Sequence, residues 1–172
     1  MNLIEELKNY CDINNPVGAL MLSGEWGCGK TYLIKTKFIP SVKDTYVFVC
    51  ISLFGIDSLD KLRVEVKKKW LEKASEFDSL NGTKVSRVAD SCRRIFDTIK
   101  DRLPENWQKK GEVVSSIMDL INFMPISNRM FEKKVILVFD DLERTNISCT
   151  DLLGCINDYC ENQGFNTIIV AN

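Results

Sequence analysis

Gly24-Glu25-Trp26-Gly27-Cys28-Gly29-Lys30-Thr31 is the stretch that decides the fold of this chain. It fits the pattern G-x-x-x-x-G-K-[ST], which is typical of a phosphate-binding loop, or P-loop. The apolar run at 19–22 before it predicts a short buried strand, and the run at 32–38 after it predicts a helix. In such a unit the N–H groups of the loop and the positive end of the helix face one anion. We therefore interpret the stretch as a nucleotide site rather than a chance glycine-rich turn.

Each residue type in the loop has a physical task. The glycines adopt backbone angles that are closed to other residues, and they let the chain approach a phosphate closely. The ammonium of Lys30 is predicted to contact the β- and γ-phosphates of ATP, and the hydroxyl of Thr31 is predicted to be a ligand of Mg²⁺. The predicted nucleotide-binding residues are Gly24, Glu25, Trp26, Gly27, Cys28, Gly29, Lys30, Thr31 and Tyr32.

The amino-acid composition limits the classes of protein to which this chain can belong. The 172 residues are 45% hydrophobic, which suits one domain with a real core, and the net charge of −1 gives no global basic field for nucleic acid or a membrane. The absence of histidine excludes Ser–His and Cys–His catalysis and any zinc site that uses histidine. The seven cysteines form no C-x-x-C pair. With no signal segment and no apolar run of about 18 residues, we predict reduced thiols, a cytoplasmic location and no membrane span.

Strand-like apolar runs alternate with helical patterns along the chain. This alternation predicts a three-layer α/β/α fold with a parallel sheet. We expect one domain over 1–172, with a core at 1–70 and 133–172 and a helical insert at about 71–132. The Pro40-Ser41 pair is predicted to end the helix that follows the P-loop. The predicted strands are 19–22, 46–51, 135–139 and 167–170, and the predicted helices are 2–11, 32–38, about 58–77, 84–102, 111–124 and 152–162.

Acidic residues follow the third predicted strand. Asp140 comes after five apolar residues, which is the Walker B pattern, and its carboxylate is predicted to hold Mg²⁺ through water opposite Thr31. Asp141 is predicted to orient and deprotonate the attacking water, and Glu143 is the rival base. The competing interpretation of the Asp140–Asp141 pair is a helix cap after a strand. For Arg144, contact with a phosphate or a partner subunit and a surface ion pair are equally open interpretations.

The two motifs together resemble the KAP-type P-loop ATPases, which are relatives of the STAND and AAA+ groups. The resemblance is carried by Gly24–Thr31 and by Asp-Asp-Leu-Glu-Arg at Asp140–Arg144, and the Ser52–Ile56 run after the second strand is also similar to bacterial members. It implies ATP as the ligand with Mg²⁺, and a strand order of 5-1-4-3-2. It also implies a polar sensor at the end of the fourth strand, which falls on Asn172. With Lys30 and Asp141, Asn172 completes the expected catalytic set.

The chain departs from that family pattern in three ways. Glu143 stands where the family usually has Asp, and the insert carries no membrane helices. The chain also stops at the sensor, so the fifth strand and the helical lid are missing and the expected order is 1-4-3-2. The run at 19–22 then becomes an apolar sheet edge, which invites pairing with another chain. We expect a further C-terminal region, self-association or a protein partner to complete the sheet.

The leading functional hypothesis is Mg·ATP binding with slow hydrolysis to ADP and phosphate, coupled to a conformational switch. The alternative is a nucleotide-binding regulatory or scaffold module without significant turnover. A GTPase is disfavoured because no N-K-x-D motif occurs, and a small-molecule kinase would need an acceptor pocket that the sequence does not identify. A nucleic-acid-dependent ATPase rests only on one basic helix face, for which solvation is the favoured interpretation. That face carries Lys61, Arg63, Lys67, Lys68, Lys69 and Lys73.

Overall fold

The computed structural model describes residues 2–81, 126–130 and 132–172. Contacts divide the chain into two compact units, residues 1–62 with 127–172 and residues 63–126. The predicted helices at 84–102 and 111–124 lie outside the described residues. The assignment of a single domain with an insert at about 71–132 stays a prediction.

The elements of the described chain follow the predicted alternation. All four predicted strands are present, with ends within two residues of the predicted ones. The helices are α1 Leu3–Asp12, α2 Lys30–Tyr32, α3 Ile39–Val42, α4 Leu59–Asn81 and α5 Cys149–Glu161. The strands are β1 Leu20–Ser23, β2 Tyr46–Ser52, β3 Arg129–Met130, β4 Lys133–Asp140 and β5 Asn166–Ala171.

The sheet has the order β1-β5-β4-β2, and each of these pairings is parallel. Because β4 and β5 are the third and fourth predicted strands, the predicted order 1-4-3-2 is confirmed for the parallel strands. The two-residue strand β3, which pairs antiparallel with β4, was not predicted. Within the described sheet β1 lies at the edge beside β5. The strand expected to cover that edge stays a prediction.

Helices cover both faces of the sheet, as the three-layer prediction requires. On one face, Leu7 of α1 and Phe38 of the helix after the P-loop pack into one buried cluster with alternate strand residues such as Phe48 and Ile136. On the other face, α5 contributes Tyr159, whose ring centroid lies 6.3 Å from that of Phe139 in β4. Strands β4 and β5 are buried on both sides, which explains their continuous apolar sequences.

The helix after the P-loop runs further than predicted. It begins as α2, continues as a π-helix over Leu33–Phe38 and ends as α3, so the prediction that Pro40-Ser41 ends it was wrong. The N–H of Ile39 bonds to the carbonyl of Ile34, five residues back. Proline in an α-helix clashes with the carbonyl four residues before it. The wider π turn moves that carbonyl and lets the helix pass through Pro40. We call the continuous segment from Lys30 to Val42 the P-loop helix.

Two strands fasten the C-terminal end of α1. The ammonium of Lys134 in β4 donates to the carbonyls of Cys11 at 2.9 Å and Ile13 at 2.8 Å. The side-chain amide of Asn166 in β5 donates to the carbonyls of Tyr10 at 2.8 Å and Ile13 at 3.0 Å. The last carbonyls of a helix lack their usual intrahelical partners, so Lys134 and Asn166 extend the cap of α1, in which the N–H of Ile13 already bonds to the Tyr10 carbonyl at 3.2 Å.

A capping residue accounts for the early start of one helix. The helix α5 begins three residues before the predicted start because the Ser148 hydroxyl accepts from the N–H of Asp151 and caps it earlier. The helix α4 continues to Asn81, four residues past the predicted end. In the described ranges no helix combines the length and the apolar character that a membrane crossing requires.

Candidate functional site

An open cleft of about 240 Å³ lies at the carboxyl ends of β1, β4 and β5. Ligands of open parallel sheets bind at this edge, outside the ends of the strands. Most of the predicted site residues line the cleft. The lining residues are Trp26, Gly27, Gly29, Lys30, Thr31, Tyr32, Asp140, Asp141, Arg144, Val170 and Asn172.

The P-loop joins the end of β1 to the first turn of the P-loop helix. Gly27 has φ +80° and Gly29 has φ +93°, a left-handed region in which a side chain would be strained. Gly29 is the residue before the helix, and its carbonyl accepts from the N–H of Leu33 at 2.8 Å. The N–H groups of the first helical turn have no partner within the helix and point toward the cleft. The positive end of the helix dipole faces the cleft as well.

Lys30 is held by its own loop. Its ammonium donates to the carbonyls of Gly24 at 2.6 Å and Glu25 at 2.9 Å, and lies 3.6 Å from the sulfur of Cys28. It also donates to the side-chain oxygen of Asn172 at 2.6 Å. Gly24, Glu25 and Cys28 are therefore supports for the lysine rather than cleft lining. The contact with Asn172 joins the end of β5 to the loop.

The two predicted metal ligands meet directly. The Thr31 hydroxyl donates to Oδ1 of Asp140 at 2.9 Å. Asp140 is only 6% exposed, and its other oxygen, Oδ2, lies 3.1 Å from the ammonium of Lys35. Lys35 was missed by the sequence analysis. A signal was available, since Lys35 follows Thr31 by four residues and such residues share one side of a helix.

Asp141 lines the cleft in a strained conformation. Its φ of +63° is in the left-handed region, which Asp tolerates better than most residues. The Ser52 hydroxyl donates to one carboxylate oxygen at 2.9 Å, and Nε of Arg144 lies 3.6 Å from the other. The cap interpretation is not supported, because the Asp141 side chain makes no capping hydrogen bond to the 3₁₀ turn Leu142–Arg144. Ser52 was also missed, since only the pairing of β2 with β4 places it next to Asp140.

Glu143 is engaged by Asn172 rather than lining the cleft. The side-chain amide of Asn172 donates a short hydrogen bond to one Glu143 oxygen, and its N–H donates to the other at 3.4 Å. Partial burial alone would raise the pKa of Glu143. Hydrogen bonds from its own N–H and from Asn172 outweigh that effect, so the pKa lies below its ordinary value. Glu143, Asn172 and Lys30 thus form one hydrogen-bonded chain.

Two exposed aromatic rings flank Arg144 at the rim of the cleft. Its guanidinium carbon lies 5.7 Å from the ring centroid of Trp26 in the P-loop and 5.7 Å from that of Phe54 after β2. These are cation–π distances. Arg144 therefore makes more than a surface ion pair with Asp141. Its guanidinium also contacts the P-loop and the segment after β2.

Four of the six basic side chains on the predicted α4 face are paired with acidic neighbours. Lys61 Nζ lies 2.6 Å from a carboxylate oxygen of Asp57. Lys68, Lys69 and Lys73 likewise pair with glutamates three or four residues away. Neutralised pairs of this kind are typical of a solvated helix surface, so these four lysines give no support for nucleic-acid binding.

Comparison with known proteins agrees with this geometry. The model of one protein family, described as the KAP family P-loop domain, matches residues 2–172. No curated protein matches the chain. The match spans the P-loop, the Asp140–Arg144 segment and the last strand, which are the parts that meet at the cleft. The chain therefore belongs to the KAP family of P-loop NTPases.

Proposed function

We propose that this domain binds Mg·ATP and slowly hydrolyses it to ADP and phosphate, as a conformational switch. One observation carries the proposal: Lys30, Thr31, Asp140 and Asn172, which come from three separate parts of the chain, contact one another in pairs at one cleft. Family membership supports a nucleotide as the ligand.

In the proposed complex Lys30 exchanges its bonds to the loop carbonyls for bonds to the β- and γ-phosphates. Lysine carries three N–H donors on a flexible stem, so this exchange needs no movement of the backbone. The N–H groups of the P-loop and of the first helical turn would hold the remaining phosphate oxygens. Asn172, already in contact with Lys30, would then respond to the presence of the γ-phosphate.

The donor set suits Mg²⁺, which the family implies. Thr31 and Asp140 present a hydroxyl and a carboxylate at one edge of the cleft, and Mg²⁺ prefers hard oxygen ligands. Among the residues that the structure describes, no three acidic or thiol side chains could enclose a metal unaided. Mg²⁺ would therefore be shared with the phosphates and water, and when bound it would neutralise the charge that develops during phosphoryl transfer.

For the base that activates water, the geometry favours Asp141 over Glu143. Asp141 lines the cleft, whereas both Glu143 oxygens accept from Asn172. The Ser52 hydroxyl and Arg144 hold the Asp141 carboxylate in place. These partners also compete for its lone pairs, which is consistent with slow turnover.

That competition also supports the alternative, a nucleotide-binding regulatory module without significant turnover. A carboxylate whose oxygens already face a hydroxyl and a guanidinium has less room to accept a hydrogen bond from the attacking water. Binding would be retained in this case, because none of the phosphate contacts depends on Asp141. Measured phosphate release separates the two functions.

The test combines calorimetric titration with Mg·ATP and an assay of phosphate release. The parent chain is compared with Lys30→Ala and with Lys37→Ala, which removes a lysine from the same helix outside the cleft lining. We expect binding in the parent and in Lys37→Ala, and at least tenfold weaker binding in Lys30→Ala, since a charged hydrogen bond contributes about 1.5–3 kcal/mol. Equal affinities in all three would contradict a phosphate role for Lys30. Binding of ATP without release of phosphate would favour the alternative function, a regulatory module without significant turnover.

A further inference from the structure

The two oxygens of the Asp140 carboxylate contact different kinds of partner. Oδ1 accepts from the Thr31 hydroxyl at 2.9 Å and from the N–H of Asp141 at 3.1 Å. Oδ2 faces the ammonium of Lys35 at 3.1 Å. A carboxylate that is only 6% exposed needs hydrogen bonds or a counter-charge to replace its lost contacts with water. Lys35 supplies that charge.

Lys35 differs from Lys30 in what it contacts. Lys30 is bound by the P-loop and Asn172, whereas Lys35 reaches Asp140 from the π-helical part of the P-loop helix. Its side chain is 50% exposed, so it can move away from Asp140 into water at small cost. A cation that is held at a carboxylate and can leave it is suited to competing with a second cation.

We infer that Lys35 is a positioning residue that competes with Mg²⁺ for Asp140 and sets the Mg²⁺ concentration at which ATP binds. The inference rests on the proposed function, in which Asp140 helps to hold Mg²⁺. An ammonium on Oδ2 occupies the oxygen that Thr31 leaves available, and its positive charge repels a divalent cation nearby. At low Mg²⁺ the lysine keeps the carboxylate oriented, and at high Mg²⁺ it yields.

The test measures ATP affinity by calorimetry over a series of free Mg²⁺ concentrations in three variants. Lys35→Gln removes the charge, Lys35→Arg retains it, and Lys37→Gln removes a charge from the same helical segment without touching Asp140. We expect the half-saturating Mg²⁺ concentration to fall about fivefold in Lys35→Gln, which corresponds to ~1 kcal/mol. Lys35→Arg and Lys37→Gln are expected to match the parent. Equal Mg²⁺ dependence in Lys35→Gln and Lys37→Gln would overturn the inference while leaving the proposed function intact.

Thermal unfolding without nucleotide or Mg²⁺ tests the contact on which the inference depends. In Lys35→Gln the buried carboxylate loses its counter-charge, so the melting temperature is expected to fall by about 3 °C, whereas Lys37→Gln is expected to melt like the parent. Equal melting of the two variants would contradict the role of Lys35 at Asp140, whether or not the chain binds ATP. If the fall occurs but the parent does not bind ATP, the proposed function is wrong, and the competition with Mg²⁺ is overturned with it.

Discussion

Removing one hydroxyl, by Tyr10→Phe, tests how α1 is fixed to the sheet. The Tyr10 hydroxyl donates to the carbonyl of Gly18 at 2.9 Å and accepts from the N–H of Thr167 at 2.9 Å. Thr167 is fully buried, and a buried N–H without an acceptor costs about 1–3 kcal/mol. Gly18 is a partly exposed residue, so we expect water to replace the lost donor of its carbonyl at little cost. The phenyl ring keeps the packing. We therefore expect a loss of about 2 kcal/mol in the free energy of unfolding.

The assay is urea denaturation followed by circular dichroism, with thermal melting as a second measure. For a chain of this length the expected loss corresponds to a decrease of about 4–8 °C in melting temperature. The control is Tyr32→Phe, which removes the same hydroxyl from a side chain that is 63% exposed. It is expected to leave stability within about 0.5 kcal/mol of the parent. A loss below about 0.5 kcal/mol in Tyr10→Phe would refute the reasoning.

Three further predictions concern the site and its titration. Asp140→Asn is expected to weaken Mg·ATP binding about tenfold or more while leaving binding in excess chelator unchanged, as measured by paired titrations with and without Mg²⁺. A thiol-alkylating reagent is expected to label the exposed Cys28 quickly and the buried Cys11 only on unfolding, as followed by peptide mass spectrometry. Burial raises the pKa of Tyr10 from 10.0 to about 12, so its neutral form is favoured in the fold. Its contribution to stability is complete below pH 10 and is lost as the pH rises toward 12, and Tyr10→Phe should show a shallower fall in melting temperature over that range.

The parallel sheet was predictable because most of its parallel strands are buried on both faces. β2, β4 and β5 are covered on both faces, so nearly every residue is apolar and the runs stand out from the helices. The strand β3 was not predictable, since it has two residues and its turn uses Glu132 at φ +65° instead of glycine or asparagine. The helix through Pro40 was missed because a π-helical segment has no sequence pattern of its own.

Site residues that lie within one sequence motif were predictable. Contacts between site residues on separate strands were less predictable. Lys30 and Thr31 follow from the P-loop alone. The contact of Thr31 with Asp140 follows from the rule that the carboxyl ends of parallel strands share one edge. The Ser52 contact with Asp141 depends on the register of β2 against β4. Sequence does not give that register, because the central runs at 47–51 and 135–139 are apolar throughout.

The fastening of α1 also determines the order in which the chain can fold. The acceptors at Tyr10 and Ile13 are separated from their donor Asn166 by 156 and 153 residues. At a synthesis rate of about 5–20 residues per second, α1 leaves the ribosome roughly ten to thirty seconds before β5. The hydrogen bonds from Asn166 cannot form during that interval, although Leu7 and Cys11 can already pack against β2 and β4 once those strands are made. This end of α1 therefore waits for a strand that is synthesised much later before its hydrogen bonds are complete.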